Sequence, residues 1–92
     1  MIENFRCKDT LLLWETGKSR RFNSIATVAL RKLAMLDAAD NLEDLRVPPG
    51  NRLEALRGDR SGQHSIRVND QWRLCFCWDN GRVLDVEIVD YH

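Results

Sequence analysis

Between Gly62 and His64 the spacing of apolar residues changes, and that change limits the folds open to the chain. Upstream, Phe22, Ile25, Ala29, Leu33 and Leu36 recur at intervals of three and four. That is one face of a helix, with Arg31 and Lys32 off to its side. Downstream the interval is two. "HSIRV" sets His64, Ile66 and Val68 against Ser65 and Arg67, and "WRLCFCW" sets Trp72, Leu74, Phe76 and Trp78 against Arg73, Cys75 and Cys77. "DNG" then signals a hairpin, and "RVLDVEIVDYH" supplies a last strand with Leu84, Val86 and Ile88 as its core row. Helices followed by a meander of strands predict an α+β fold, with the helices packed on one face of a small, twisted, mostly antiparallel sheet. The 92 residues suffice for one core, so residues 1–92 are expected to form a single domain.

The remaining segments fit around that plan. "IENFRC" opens as a short strand with Ile2 and Phe5 directed to the core. Asp9 or Thr10 can cap a short helix over "LLLWET", closed by Gly17, and Asn23 or Ser24 can cap the longer helix. "NLEDL" adds a helical turn with Glu43 and Asp44 at its start. "VPPGN" forms the main loop, and "RGDRSG" turns the chain into the strands. His64 is expected to pack in the core, and Trp72 and Trp78 in the core or at its rim. The other sheet face, with Arg67, Arg73 and the cysteines, should be concave, partly open and positive.

Charge balances, with 14 basic and 14 acidic residues, but its distribution does not. Lys18, Arg20, Arg21, Arg31 and Lys32 fall in a stretch without acids, and Asp37, Asp40, Glu43 and Asp44 in one without bases. From Arg46 to Arg82 every base is an arginine, the residue suited to gripping phosphate through a planar fork. Apolar residues make up 43% of the chain, and no window is long enough to span a membrane. The N-terminus lacks the basic and apolar regions of an export signal, so a cytoplasmic protein is expected. Cys7, Cys75 and Cys77 agree with that: the set is odd, and Cys75 and Cys77 are poorly placed for a mutual disulfide on one strand. No CxxC pair points to a metal.

The run "LEALRGDRSGQHSIRVNDQWRLCFCW" together with the ending "VEIVDYH" resembles the HigB-type host-inhibition toxins of the RelE/ParE superfamily, also described as plasmid-maintenance killer proteins. The likeness runs from "MIENF" to His92. It implies a RelE-like fold, cleavage of messenger RNA on the translating ribosome, and silencing by a separately encoded, HigA-like helix-turn-helix antitoxin. It also implies contact with operator DNA only through that antitoxin. Arg73, in "QWRL", matches the family's arginine at the scissile phosphate. Asp90, Tyr91 and His92 match its C-terminal active-site residues. Arg57 stands where relatives often have lysine, and Glu54 where some place a histidine and others an acid.

These residue types suit ribonucleolysis. RNA carries its own nucleophile, so the protein needs a base for the 2′-hydroxyl, an acid for the leaving 5′-oxygen, and cations for the phosphorane-like transition state. No metal or cofactor is required. His92 titrates near neutral pH, and Asp90 could orient it. Glu54 could serve as base, Tyr91 could stack or hold phosphate, and Arg73 with Arg57, Arg60 and Arg67 could bind the substrate. A flat strand sends Tyr91 to the face opposite Asp90 and His92, so a twist or bulge is expected at the strand's end. Two other classes remain open: a non-enzymatic toxin that blocks a host target, as the gyrase-inhibiting ParE branch does, or an antitoxin-bound co-regulator of the operon. A general RNA-binding domain is disfavoured by the zero net charge.

Overall fold

The computed structural model describes residues 1–90. Helix α1 (Lys8–Thr16) and helix α2 (Ala26–Ala38) precede an antiparallel sheet of β1 (Glu54–Ala55), β2 (His64–Arg67), β3 (Trp72–Asp79) and β4 (Arg82–Asp90), paired in chain order. Single turns of 3₁₀ helix at Asn23–Ile25, Leu42–Arg46, Pro49–Asn51 and Gly58–Arg60 connect them. The residues before α1 bridge to β4 in parallel through Ile2–Val83 and Phe5–Val86, which covers that edge. No helix among the described residues is long and apolar enough to cross a membrane.

The helical stripe read from the sequence is the core. Phe22, Ile25, Ala29, Leu33 and Leu36 are buried against Ile66, Leu74, Phe76, Val86 and Ile88 from the sheet. Gly17 closes α1 in the left-handed conformation, donating its N–H to the Leu13 carbonyl. The N-caps differ from expectation. Neither α1 nor α2 has a side-chain cap; α1 starts after Cys7, and a 3₁₀ turn leads into α2. Thr10 instead lies fully buried and accepts the Ile88 N–H at 3.1 Å, satisfying a sheet-edge donor from a helix.

"RLEAL", to which the sequence assigns no element, contains a strand, β1, because Glu54 and Ala55 pair with Ser65 and His64. Two expectations are corrected. The core row of β4 is Val83, Val86 and Ile88, with Leu84 on the opposite row. Between Cys75–Glu87 and Cys77–Leu84 the ladder slips by one residue, and Asp85 takes φ 54° there. This bulge exchanges the faces of the strand's first half. Finally, Lys32 is buried at 6% exposure rather than lying off to the side.

Candidate functional site

The sheet face away from the helices carries Glu54, Ser65, Arg67, Arg73, Cys75 and Glu87, brought level by register: Glu54 lies opposite Ser65, Ser65 opposite Cys75, Arg67 opposite Arg73, and Cys75 opposite Glu87. It is charged as expected but not open. Ser65 and Cys75 have no exposed surface and Arg73 is 8% exposed. The cover comes from the turn after β1. Arg60 donates to Gln63 at 3.1 Å and to Glu87 at 3.3 Å, and Arg6 meets the other Glu87 oxygen at 3.3 Å.

Arg73 is held on several sides. Its Nε donates to Ser65 Oγ at 2.8 Å, and Nη2 donates to the Arg52 carbonyl at 2.7 Å and the Ser65 carbonyl at 3.4 Å. Glu54 Oε1 lies 3.6 Å from the same Nη2. A guanidinium so fixed presents its charge in one orientation, which is the requirement for preorganised stabilisation of an anion. Glu54, Arg57 and Arg60, with Ala55 and Leu56, line a cleft of about 460 Å³. Glu54 therefore joins the Arg73 guanidinium to this cleft, with its side chain about half exposed.

The other expected site residues lie further out. Arg67 pairs with Asp70 at the β2–β3 turn. Asp90 keeps its register opposite Trp72 and accepts from Gln71 Nε2 at 3.1 Å. That register places Asp90 on the helix-facing row, opposite in sense to Arg73. Tyr91 and His92 lie outside the described residues. His64 stacks on Phe76 at 6.2 Å between centroids, in the packing role expected for it.

Burial and charge act on groups behind the site. Burial pushes the Cys75 thiol above its ordinary value, with Arg60 and Arg73 opposing and Glu87 and Glu54 reinforcing the rise. Burial likewise lowers the Lys32 ammonium, aided by Arg31 and Arg67. Reasoning from sequence missed Ser65 and the Arg52 carbonyl as partners here. Ser65 could have been found, since strand alternation puts it on the Arg73 row; a backbone carbonyl leaves no trace in residue identity.

A two-helix layer on a four-stranded antiparallel sheet is the RelE-like class of fold. Solved structures agree: YafQ from E.coli strain BL21(DE3) superposes with a TM-score of 0.60 at 12% identity, covering 97% of this chain and 88% of that one. A chain of the YoeB-YefM complex from Staphylococcus aureus gives 0.55 at 16% identity, covering 100% and 93%. Within that class, the family model described as RelE-like toxin of type II toxin-antitoxin system HigB matches residues 3–92. The chain belongs to this family of HigB-like toxins. Toxin HigB-1 of Vibrio cholerae serotype O1 is 45% identical over 87 residues, 92% of each chain. A protein of Proteus vulgaris named Endoribonuclease HigB is 31% identical over 93 residues, the whole of both. Membership implies an antitoxin as partner.

Proposed function

We propose that the chain is a ribosome-dependent messenger-RNA endoribonuclease that inhibits translation and growth, using the RNA 2′-hydroxyl as nucleophile. The observation that carries this reading is the Arg73 guanidinium held against Glu54 beside the cleft that Arg57 and Arg60 line. The name of the Proteus vulgaris relative supports it. Glu54 takes the 2′-hydroxyl proton and the freed oxygen attacks the adjacent phosphorus in line. The P–O5′ bond breaks as His92 returns a proton to the departing 5′-oxygen, leaving a 2′,3′-cyclic phosphate and a 5′-hydroxyl. Arg73 stabilises the charge gathered on phosphorus, Arg57 and Arg60 hold neighbouring phosphates, and Asp90 and Tyr91 orient imidazole and nucleotide. No metal takes part. The partners are the ribosome, messenger RNA and a helix-turn-helix, HigA-like antitoxin through which operator DNA is reached; the compartment is the cytoplasm.

Mapping messenger ends after incubation with purified ribosomes tests this. Wild type should leave cyclic phosphate and 5′-hydroxyl ends, and Glu54→Ala and the His92-deleted chain should each cut about 10²-fold or more slowly. Growth arrest by wild type with messenger left intact would point instead to a toxin that blocks its target without cutting. Full activity of the His92-deleted chain would remove the imidazole from the mechanism.

A further inference from the structure

We propose that Asn51 is a positioning residue for Arg73, acting through the backbone of Arg52, and that Lys32 fixes Asn51 from the helix layer. The proposal rests on the ribonuclease reading only for its kinetic consequence; the geometry is independent of it.

Asn51 ends the 3₁₀ turn Pro49–Asn51 and has no exposed surface, although residues 46–50 and Arg52 are all exposed. A polar side chain turned inward from an exposed loop requires complete hydrogen bonding. Asn51 has it. Its Oδ1 accepts from Lys32 Nζ, and its Nδ2 donates to the Leu45 carbonyl at 3.1 Å and the Val47 carbonyl at 3.4 Å, beside Met35 Sδ. An ammonium on one side and two carbonyls on the other fix which end of the amide is oxygen.

The next residue takes an uncommon backbone conformation. Arg52 has φ 46° and ψ 56°, left-handed space that an L-residue with a side chain occupies only when its surroundings hold it there. The Asn51 amide holds it from one side. From the other, the Arg52 carbonyl receives Arg73 Nη2 at 2.7 Å, the shortest hydrogen bond described for that guanidinium. A line of contact thus runs from helix α2 through Lys32, Asn51 and the Arg52 carbonyl to Arg73. A loop lacking the Asn51 amide lets Arg52 relax to ordinary backbone, which turns its carbonyl away and frees one side of the guanidinium to rotate about Nε. Lys32 explains why the anchor is strong: its ammonium, in a site that disfavours its charge, has Asn51 as its one hydrogen-bond partner among the described residues.

The test uses the full chain and two readouts. In free protein, the Arg73 Nε–Hε resonance reports the bond to Ser65 whatever the chain does to RNA; Asn51→Ala should shift it and speed its exchange with water. On ribosomes, Asn51→Ala should lower kcat about 10-fold or more with KM changed less than about threefold, a transition-state effect. In an Arg73→Lys background, where no fork remains to be oriented, the same substitution should change the rate less than about twofold. Asn51→Asp keeps an acceptor for Lys32 and loses both donations, so it repeats the measurement in a chain that retains its anchor to α2. An unmoved Nε–Hε resonance in both variants overturns the proposal, as does an equal loss of rate in the wild-type and Arg73→Lys backgrounds. A shifted resonance in a wild-type framework that cuts no messenger leaves the positioning intact and defeats the ribonuclease reading alone.

Discussion

Arg73 combines two properties rarely found together, near-complete burial and a place beside a cleft, and each carries its own consequence. Its 8% exposure means that Ser65 Oγ and the Arg52 carbonyl depend on it as much as it depends on them. Arg73→Ala should therefore cost about 1–3 kcal/mol of stability, the usual penalty for stranding buried polar partners, besides abolishing messenger cleavage. Arg73→Lys separates the two effects. It keeps a positive charge but not the fork, so urea unfolding should show a loss of about 1 kcal/mol while cleavage falls about 10²-fold. Cleavage within a fewfold of wild type would mean that point charge suffices. The face that Arg73 occupies was legible, because strand alternation sets it opposite the row of Trp72 and Leu74. Its burial was not, since alternation tells which face a side chain takes but not what lies over that face. Cys75, beneath Arg60, follows the same logic. Its folded-state pKa is raised above the ordinary 9.0, so the native chain keeps a proton that the unfolded chain releases. The stability this thiol contributes is present below pH 9.0 and is lost as pH climbs toward the folded value. Urea midpoints should show the wild type's advantage over Cys75→Ala shrinking above that pH by up to about 1.4 kcal/mol per unit. A parallel pH dependence of the two proteins would place the thiolate in water.

Elements were predicted well where period decided them and poorly where a single backbone angle did. Helix α2, β2 and β3 follow from spacing, helix α1 from its closing Gly17, and the β3–β4 hairpin from "DNG". An unbroken interval of two through Leu84, Val86 and Ile88 predicts the core row of β4, whereas the strand inserts Asp85 as an extra residue and buries Val83. Nothing in "VLDVE" announces this, because aspartate is ordinary in an exposed strand position and the left-handed angle is a property of tertiary fit. The bulge resets which β4 side chains share a face with Arg73: Glu87 and Val89 do, while Asp85 turns to Asn4, whose Nδ2 donates to it at 2.9 Å. β1 escaped notice for a different reason; two residues carry no period at all. If the bulge is set by backbone angle, side chains there should rank by tolerance of positive φ. Asp85→Val should lose about 1–2 kcal/mol, from left-handed strain at a β-branched residue together with the lost Asn4 contact. Asp85→Gly, free of that strain, should stay within about 0.5 kcal/mol of wild type. Equal losses in the two variants, measured by denaturant unfolding, would assign the effect to the carboxylate.

At the scale of the whole molecule, the arrangement of charge argues for a substrate held by something larger. The chain has no net charge, and the face around Arg73 nearly repeats that balance locally. Arg6 and Arg60 share Glu87, Arg73 meets Glu54 and Arg67 meets Asp70, while Arg57 makes no ion pair among the described residues. Five guanidiniums against three carboxylates leave an excess of two positive charges. Binding of a free single strand by two uncompensated charges should follow log salt with a slope of only about −1.4, and its affinity should be weak. Pairing with carboxylates gives the arginines fixed directions at the expense of reach, which suits a site that receives messenger already stretched and held in line. The protein should thus cut purified messenger alone at under about 1% of its rate on ribosomes, since in-line geometry that is prepaid elsewhere is worth several powers of ten. Filter-binding titrations across a salt series, run beside cleavage assays with and without ribosomes, check both halves of the argument. A salt slope of about −4 or steeper would reveal a phosphate-gripping surface larger than this face supplies. Efficient cutting of naked messenger would show that the balanced face orients RNA unaided.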